Sequence, residues 1–156
     1  MAKQEEVIIY TDGGCRGNGK TTNVGGYGAV LIHPASGKRK EISAGFRNVT
    51  NNQMELQGVI AALSQLKRPA IVHLYTDSAY IHNAFTQGWI EKWQKNNWLT
   101  STREPVKNRE LWEEIIRLTH VHQIHWHKVK GHADNEENNR ADELANQAMD
   151  QLEQGL

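Results

Sequence analysis

Three apolar, β-branched segments lie close together near the start of the chain. They cover residues 6–12, 24–33 and 38–46, and the turn PASG separates the last two. Segments this close pair as an antiparallel meander, because a parallel connection needs a dozen or more residues. The first part of the chain is therefore restricted to an antiparallel sheet.

Helices and strands alternate after this meander. Apolar residues recur at helical spacing at Leu56, Val59, Ile60, Leu63 and Leu66. The strand at 70–77 is reached through this helix, so we expect it to lie parallel to the first strand. A short helix from Ser78, a Trp-rich stretch from Trp89, a helix at 108–118, a strand at 122–129 and a helix at 139–152 follow. This order predicts an α/β fold in which a mixed five-stranded sheet, with three antiparallel strands and then two parallel ones, carries helices on both faces.

Size and composition fit one domain spanning residues 1–156. The chain has 38% hydrophobic residues, enough for a single core. Cys15 is the only cysteine, which excludes an intrachain disulfide and agrees with a reducing compartment. The sequence has no signal-peptide pattern and no apolar run near the roughly 18 residues of a membrane span. We expect a soluble, cytoplasmic protein with no membrane partner.

Charge is unevenly distributed although the net charge is zero. Residues 134–156 hold seven acids and one base, which leaves +6 on residues 1–133. Most of the C-terminal acids suit the solvated face of a helix. The basic remainder leaves room for a nucleic-acid surface.

Two strands share the ending Tyr-Thr-Asp, at Asp12 and at Asp77. If these strands are neighbours in register, the two carboxylates lie side by side at one edge of the sheet. Each acid also has a structural alternative: Asp12 as a turn former before Gly13, and Asp77 as the cap of the helix that starts at Ser78. Their identical placement favours a metal site, because repelling carboxylates need a proton or a cation between them.

Two further acids have the spacing to join this pair. Glu55 follows Asn52 by three residues, the spacing of a capping box, but it also borders the apolar stripe of its helix. Asp142 lies at the margin of the stripe of the last helix, whereas Glu143 turns toward water. Four converging carboxylates are hard ligands, which favour Mg²⁺ or Mn²⁺ over Zn²⁺.

Five of the eight histidines lie within residues 120–132. A zinc site is one interpretation. However, His125 and His127 alternate with apolar residues, which favours the exposed face of a half-buried strand. His132 lies in a polar loop before the helix of Asp142, where an imidazole suits proton transfer near neutral pH.

The segments YTDGGCRGN, TNNQMEL, YTDSAY and VKGHADNEENNRADELA are similar, in order and spacing, to the motifs of ribonuclease H type 1. The segment GWIEKWQKNNWLTSTREPVKN resembles the basic protrusion of the bacterial members. The resemblance extends from about Val7 to Ala148, nearly the whole chain.

This resemblance implies an endonuclease that hydrolyses the RNA strand of RNA/DNA hybrids and leaves a 5′-phosphate and a 3′-hydroxyl. It implies a ribonuclease H-like sheet and two Mg²⁺ ions, for which Mn²⁺ would substitute. By matching position, the catalytic metal ligands are Asp12, Glu55, Asp77 and Asp142. His132 matches the loop histidine that moves protons or helps the product leave.

The resemblance also implies substrate contacts. The backbone around Gly13, Gly14 and Cys15, with the side chains of Asn51 and Asn52, matches the positions that contact the 2′-hydroxyl. Phosphate contacts fall to Asn18, Thr50 and Asn51, and contacts from the protrusion to Trp89, Lys92, Trp93 and Lys95. Each of these residues also has a structural alternative. Asn and Gly are common in loops and helix caps, and Trp is common in the core. We expect a monomer without an obligate protein partner.

Two features depart from the family pattern. The loop at 17–28 is longer than the Pro-containing turn that the family often has, and Ala79 replaces a common glutamine. A hybrid-binding module without catalysis and a metal-dependent integrase or resolvase are the alternatives. The four acids with His132 count against the first, and the Trp-rich segment with the Lys-Gly-His loop against the second.

Overall fold

The computed structural model describes residues 5–17, 23–129 and 135–154. Within these ranges the strands are β1 (Glu5–Arg16), β2 (Val24–His33), β3 (Lys38–Arg47), β4 (Ala70–Thr76) and β5 (Gln123–Lys128). The helices are α1 (Asn51–Ser64), α2 (Ala79–Thr86), α3 (Trp89–Lys95), α4 (Arg109–Val121) and α5 (Glu136–Glu153). The five strands form one sheet in the order β3-β2-β1-β4-β5.

The sheet is mixed, as the strand order predicts. β1 and β2, like β2 and β3, pair antiparallel, whereas β4 lies parallel to both β1 and β5. The parallel pairs are reached through helices, which supply the required crossover length. The predicted fold class is therefore confirmed.

The end of β1 differs from the expectation that the strand stops at Asp12. Parallel pairing with β4 ends at Thr11 and Thr76, but antiparallel pairing with β2 continues from Asp12 to Arg16. Gly13 and Gly14 are therefore extended strand residues rather than a turn. Asp12 lies where β1 loses its neighbour β4 and keeps β2.

The helices cover both faces of the sheet. Asp12 pairs with Gly28, and a side chain at Gly28 would meet Ala141 of α5. Gly13, which faces the other way, lies against Met54 of α1. α1 and α5 therefore pack on opposite faces, since successive residues of a strand alternate in direction. The core between the sheet and α1 includes the fully buried Ile9 and Leu74.

The helix caps exclude both of the capping alternatives. Thr50 caps α1, and its capping box is completed by Gln53, which excludes the alternative of a box from Asn52 and Glu55. Ser78 caps α2 through its side chain, which excludes the alternative of a cap at Asp77. Glu55 and Asp77 therefore have no capping role that would explain them.

Close contact between β2 and α5 depends on the absence of a side chain at Gly28. A Cβ there would lie 2.3 Å from the carbonyl oxygen of Ala141 and 2.6 Å from Cβ of Leu144. Both neighbours are rigid parts of α5, so the helix would have to move away from the sheet. Since α5 carries Asp142, this contact also sets the position of that acid.

We predict that Gly28→Ala lowers the free energy of unfolding by about 1–3 kcal/mol or more, the usual range for overpacking a core. Gly14→Ala is the matched control in the adjacent strand, because a Cβ there meets only Asn51 Oδ1, at 3.9 Å. Urea unfolding of both variants checks this, and equal stability of the two would contradict the role assigned to Gly28.

Candidate active site

Three carboxylates meet at one edge of the sheet. Asp12, Glu55 and Asp77 each offer one oxygen, and these oxygens all lie within 4.8 Å of one another. The acids come from β1, α1 and the residue after β4. Thr11 and Thr76 are paired in register, so the aspartates that follow them emerge side by side.

Glu55 is brought to the two aspartates by the close approach of α1 to β1. A Cβ at Gly13 would lie 2.5 Å from the carbonyl carbon of Met54, so only glycine permits this distance. The N–H of Gly13 donates to Glu55 Oε1 at 3.2 Å. One carboxylate oxygen of Glu55 is thereby fixed by the backbone of β1.

The other oxygen of Glu55, Oε2, is buried and accepts no hydrogen bond within the described residues. A buried, unpaired carboxylate oxygen is costly unless it meets a cation or a proton. The donor set is entirely carboxylate oxygen, which suits a hard divalent cation. The residues of this cluster therefore fit a divalent metal ion.

Asp142 approaches the cluster from α5. It lines the same cleft of about 470 Å³ as Asp12, Glu55 and Asp77, and its carboxyl group contributes to the raised pKa of Asp12. The four acids predicted from the sequence thus face one cleft.

Burial and mutual repulsion hold protons on this cluster. Asp12 is only 8% exposed, and this burial, with the nearby charge of Glu55, raises the pKa of the Asp12 carboxyl. Burial and the charge of Asp77 likewise raise the pKa of Glu55, against the opposing effect of the Gly13 N–H. Without a cation, the cluster therefore retains protons above the usual range of carboxylic acids.

The N-terminus of α1 forms the floor of the cleft beside the acids. Asn51 and Asn52 line the cleft and are exposed. Asn51 Oδ1 accepts a hydrogen bond from the N–H of Cys15 at 2.7 Å. The side-chain amide of Asn51 is thus oriented, and its NH₂ group is directed away from that bond. Gly14 precedes Cys15 in β1, and Thr50, the cap of α1, precedes Asn51.

The Trp-rich segment combines core and surface positions. Trp98 is buried, and Trp93 packs edge-on against the buried Trp112 with ring centroids 5.3 Å apart. Trp89 and Trp93 are half-buried, and Lys92 is exposed. These three residues line a surface pocket of about 310 Å³. At least one Trp therefore belongs to the core, as the alternative interpretation of this segment held.

The cleft also contains residues that the sequence patterns did not single out for function. Ser78, which caps α2, and Tyr80 both line it. The Tyr80 hydroxyl accepts a hydrogen bond from Trp112 Nε1, which ties the cleft to the core. Ala79 lies in the cleft and is exposed, so the position where the family often has glutamine is small and apolar. Asn18 and His132 lie outside the described residues.

Comparison with known proteins agrees with this fold. The family model described as RNase H matches residues 4–150. Ribonuclease H of Clostridium botulinum is 54% identical over 148 residues, which cover 95% of this chain and 98% of that protein. Ribonuclease H of Moorella thermoacetica is 53% identical over 145 residues, covering 93% and 92%.

Solved structures show the same likeness. The crystal structure of LC9-RNase H1, a type 1 RNase H with the type 2 active-site motif, superposes with a TM-score of 0.84 at 29% identity and covers 97% of this chain and 75% of that one. LC11-RNase H1 in complex with RNA/DNA hybrid gives 0.69 at 28% identity, covering 94% and 98%. The fold and these relatives place the protein in the class of nucleases. Within that class, the chain belongs to the RNase H family and is an enzyme.

None of the described helices is long and apolar enough to cross a membrane.

We predict that the metal-free protein loses stability as pH rises from about 5 to about 9. The pKa values of Asp12 and Glu55 are raised to about 9 and about 8 in the folded state, so folding binds protons across this window and deprotonation there destabilises the fold. Asp12→Asn should reduce the slope, because it removes one of the two acids whose pKa is raised.

Urea unfolding in excess chelator at both ends of the window measures this effect, and we expect a loss of more than about 1 kcal/mol in the unsubstituted protein. Glu143→Gln is the matched control, since this acid is exposed and lies outside the cluster. A stability that does not change with pH would contradict the proton-bound cluster.

Proposed function

We propose that this chain hydrolyses the RNA strand of RNA/DNA hybrids, with Mg²⁺ held by Asp12, Glu55, Asp77 and Asp142. The observation that carries the proposal is the meeting of three carboxylates within 4.8 Å beside the exposed asparagines of α1. The relatives named Ribonuclease H support the activity. The hybrid-bound structure of LC11-RNase H1 supports the substrate.

The choice of Mg²⁺ follows from the ligands. Carboxylate oxygens are hard donors, and Mg²⁺ is held by few carboxylates together with water and substrate phosphate. When bound, two such ions activate the attacking water and stabilise the leaving 3′ oxygen in an in-line displacement. Mn²⁺ has the same preference for oxygen and is expected to substitute.

Each acid of this chain has a distinct support for that task. Asp12 and Asp77 hold their positions through the pairing of β1 with β4. Glu55 keeps one oxygen on the N–H of Gly13 and turns the other, unpaired, into the cluster. Asp142 joins from α5 and lines the same cleft. The four proposed metal ligands are therefore supplied by β1, α1, α5 and the residue after β4.

Selection of RNA is assigned to the surface beside the acids. The oxygen of the Asn51 side chain is occupied by the Cys15 N–H, so its NH₂ group is the part that remains to donate to a 2′-hydroxyl or a base edge. Asn52 and the backbone of Gly13 and Gly14 complete this minor-groove contact. The Thr50 hydroxyl accepts from the Gln53 N–H, which leaves its own proton to donate to a phosphate.

Two roles in the proposal fall on residues outside the described part of the chain. Asn18 is proposed as a phosphate contact and His132 as the group that moves protons or helps the product leave. Both assignments rest on the family motifs. A histidine suits the second role because its pKa lies near neutral pH.

A panel of end-labelled duplexes tests the activity. We expect cleavage of RNA paired with DNA in the presence of Mg²⁺, and none of RNA/RNA or DNA/DNA. Products should carry a 5′-phosphate. Equal cleavage of unpaired RNA, or full activity in excess chelator, would contradict the proposal.

We predict that Asp77→Asn lowers turnover by at least about 100-fold, the upper range for losing a group that merely supports a metal ligand. The amide removes a negative charge from the cluster and is a weaker donor to Mg²⁺. The fold should persist, because Ser78 rather than Asp77 caps α2. Without metal the melting temperature should rise or stay unchanged, because Asp77 repels both Asp12 and Glu55.

The matched control for Asp77→Asn is Glu143→Gln, which also converts one acid to an amide but lies outside the cleft. Turnover, hybrid affinity and melting temperature are measured on both. Near-normal turnover of Asp77→Asn would refute the metal site. A lower melting temperature of this variant in chelator would show that Asp77 is a structural residue.

We predict that replacing Lys92 and Lys95 by Ala raises KM and leaves kcat nearly unchanged. Both lysines are exposed on α3, and Lys92 lines the pocket with Trp89 and Trp93. Their charges suit phosphate contacts, so the dependence of KM on salt should flatten by a slope of about 1 per lysine lost.

Steady-state kinetics at several salt concentrations measures this effect. The control is Lys38→Ala with Lys67→Ala, two exposed lysines that line a separate groove with Glu5 and Val7 of β1. A fall in kcat with KM unchanged, or the same loss in the control, would show that α3 does not bind substrate.

A further inference from the structure

One half of a sheet face carries polar aromatic side chains instead of a helix-packed core. α5 packs against β1, β2 and β3 on this face. On β4 and β5, three in-register pairs share this face: Ile71 with Gln123, His73 with His125, and Tyr75 with His127. His73 and His127 are half-buried and His125 is exposed. Solvent therefore reaches these imidazoles.

The rings on this half-face form a connected row. Tyr10 stacks on Tyr75 with centroids 4.7 Å apart, and Tyr75 stacks on His127 at 4.6 Å. His127 and His125 both stack against His73, at 5.6 and 5.1 Å. Stacking on two neighbours restricts the orientation of the three inner rings, Tyr75, His127 and His73. The imidazoles of His73 and His127 are therefore held in place before any ligand binds.

Two ring nitrogens in this row have the spacing of metal ligands. His73 Nδ1 lies 3.4 Å from His127 Nε2. Two nitrogens at tetrahedral angles, each about 2.0–2.1 Å from Zn²⁺, are roughly 3.3 Å apart. Without a metal one of these nitrogens donates a hydrogen bond to the other. A cation bound between them would replace that proton, and the spacing allows this without a change in backbone position.

The carboxylate of Glu6 lies near the second nitrogen of His73. Glu6 Oε1 lies 3.7 Å from His73 Nε2, the nitrogen that does not face His127. Histidines that bind metals commonly direct their second nitrogen at a carboxylate, which fixes the tautomer and makes the ligating nitrogen more basic. The negative charge of Glu6 on this side of the ring favours a proton on Nε2 and a lone pair on Nδ1.

Electrostatics also favours a neutral ring at the second position. Burial, followed by the neighbouring His73, His125 and His82, lowers the pKa of His127. A neutral imidazole is the form that binds metals. Near neutral pH this ring therefore offers a lone pair.

We propose that His73 and His127, with Glu6 behind His73, bind one divalent transition cation of the Zn²⁺, Ni²⁺ and Cu²⁺ class. Imidazole nitrogens suit these ions, whereas the carboxylates of the acid cluster suit Mg²⁺. Water completes the coordination of the cation. Because the ligands come from β4 and β5, the bound ion ties the edge strand β5 to the rest of the sheet.

This arrangement differs from the zinc site considered for the histidines at 120–132. His127 is shared, but its partner is His73, which lies 54 residues earlier in the chain. Only the parallel register of β4 and β5 brings the two rings together. The motif His-Trp-His on β5 alone does not supply the site.

Calorimetric titration with Zn²⁺ in excess Mg²⁺ tests the proposal on the full chain. The Mg²⁺ occupies the carboxylate cluster, so that Zn²⁺ reports on the imidazoles. We expect His73→Gln and His127→Gln each to weaken Zn²⁺ binding by more than about tenfold, and Glu6→Gln by about tenfold. His120→Gln, an exposed histidine at the end of α4, is the matched control and should bind as the unsubstituted protein does.

Imidazole NMR of the unsubstituted protein gives a second measurement that does not depend on the variants folding. Zn²⁺ should shift the ring resonances of His73 and His127 together at one equivalent and leave His120 unchanged. The melting temperature should rise with Zn²⁺ and lose this rise in His73→Gln. Absence of Zn²⁺ binding, unchanged affinity in the His73 and His127 variants, or shifts confined to other histidines would overturn the proposal.

Discussion

Asp12, Glu55 and Asp77 repel one another, and the rest of the fold keeps them together. Their oxygens lie within 4.8 Å although burial already disfavours the charges of Asp12 and Glu55. Two contacts resist the repulsion. The register of β1 and β4 fixes the aspartates, and the Gly13 N–H fixes Glu55. A site of this kind is destabilising when empty, and the free energy stored in it is released when a cation binds. The arrangement therefore connects the packing of the fold with the chemistry of the site.

Small residues let the helices come close enough to supply these acids. Gly13 allows α1 to approach β1, and Gly28 allows α5 to approach β2. A methyl group at either position would meet backbone atoms of the helix. The two glycines therefore affect the site indirectly, because they determine the positions of Glu55 and Asp142. The same sheet leaves β4 and β5 free of α5, and that half-face carries the stacked histidines and tyrosines.

Much of this architecture follows from local pattern. Strand spacing predicts the mixed sheet, and the shared Tyr-Thr-Asp ending places Asp12 beside Asp77 because side chains alternate along paired strands. The features that local sequence patterns did not predict depend on tertiary contacts. Gly13 and Gly14 have turn chemistry, yet pairing with β2 keeps them extended. The helix caps are Thr50 and Ser78, one or two residues from the candidates in the sequence, because several consecutive polar residues can each act as a cap. The sequence does not predict the contact between His73 and His127, since this contact depends on the register of two strands that are far apart in the chain.

The central claim is that protons occupy the carboxylate cluster until a divalent cation replaces them. Calorimetric titration with Mg²⁺ near neutral pH, repeated in buffers that differ in ionisation enthalpy, counts the protons released per ion bound. The account predicts release of about one proton in the unsubstituted protein and less in Asp12→Asn, which lacks one of the acids whose pKa is raised. Binding of Mg²⁺ without any proton release would contradict it.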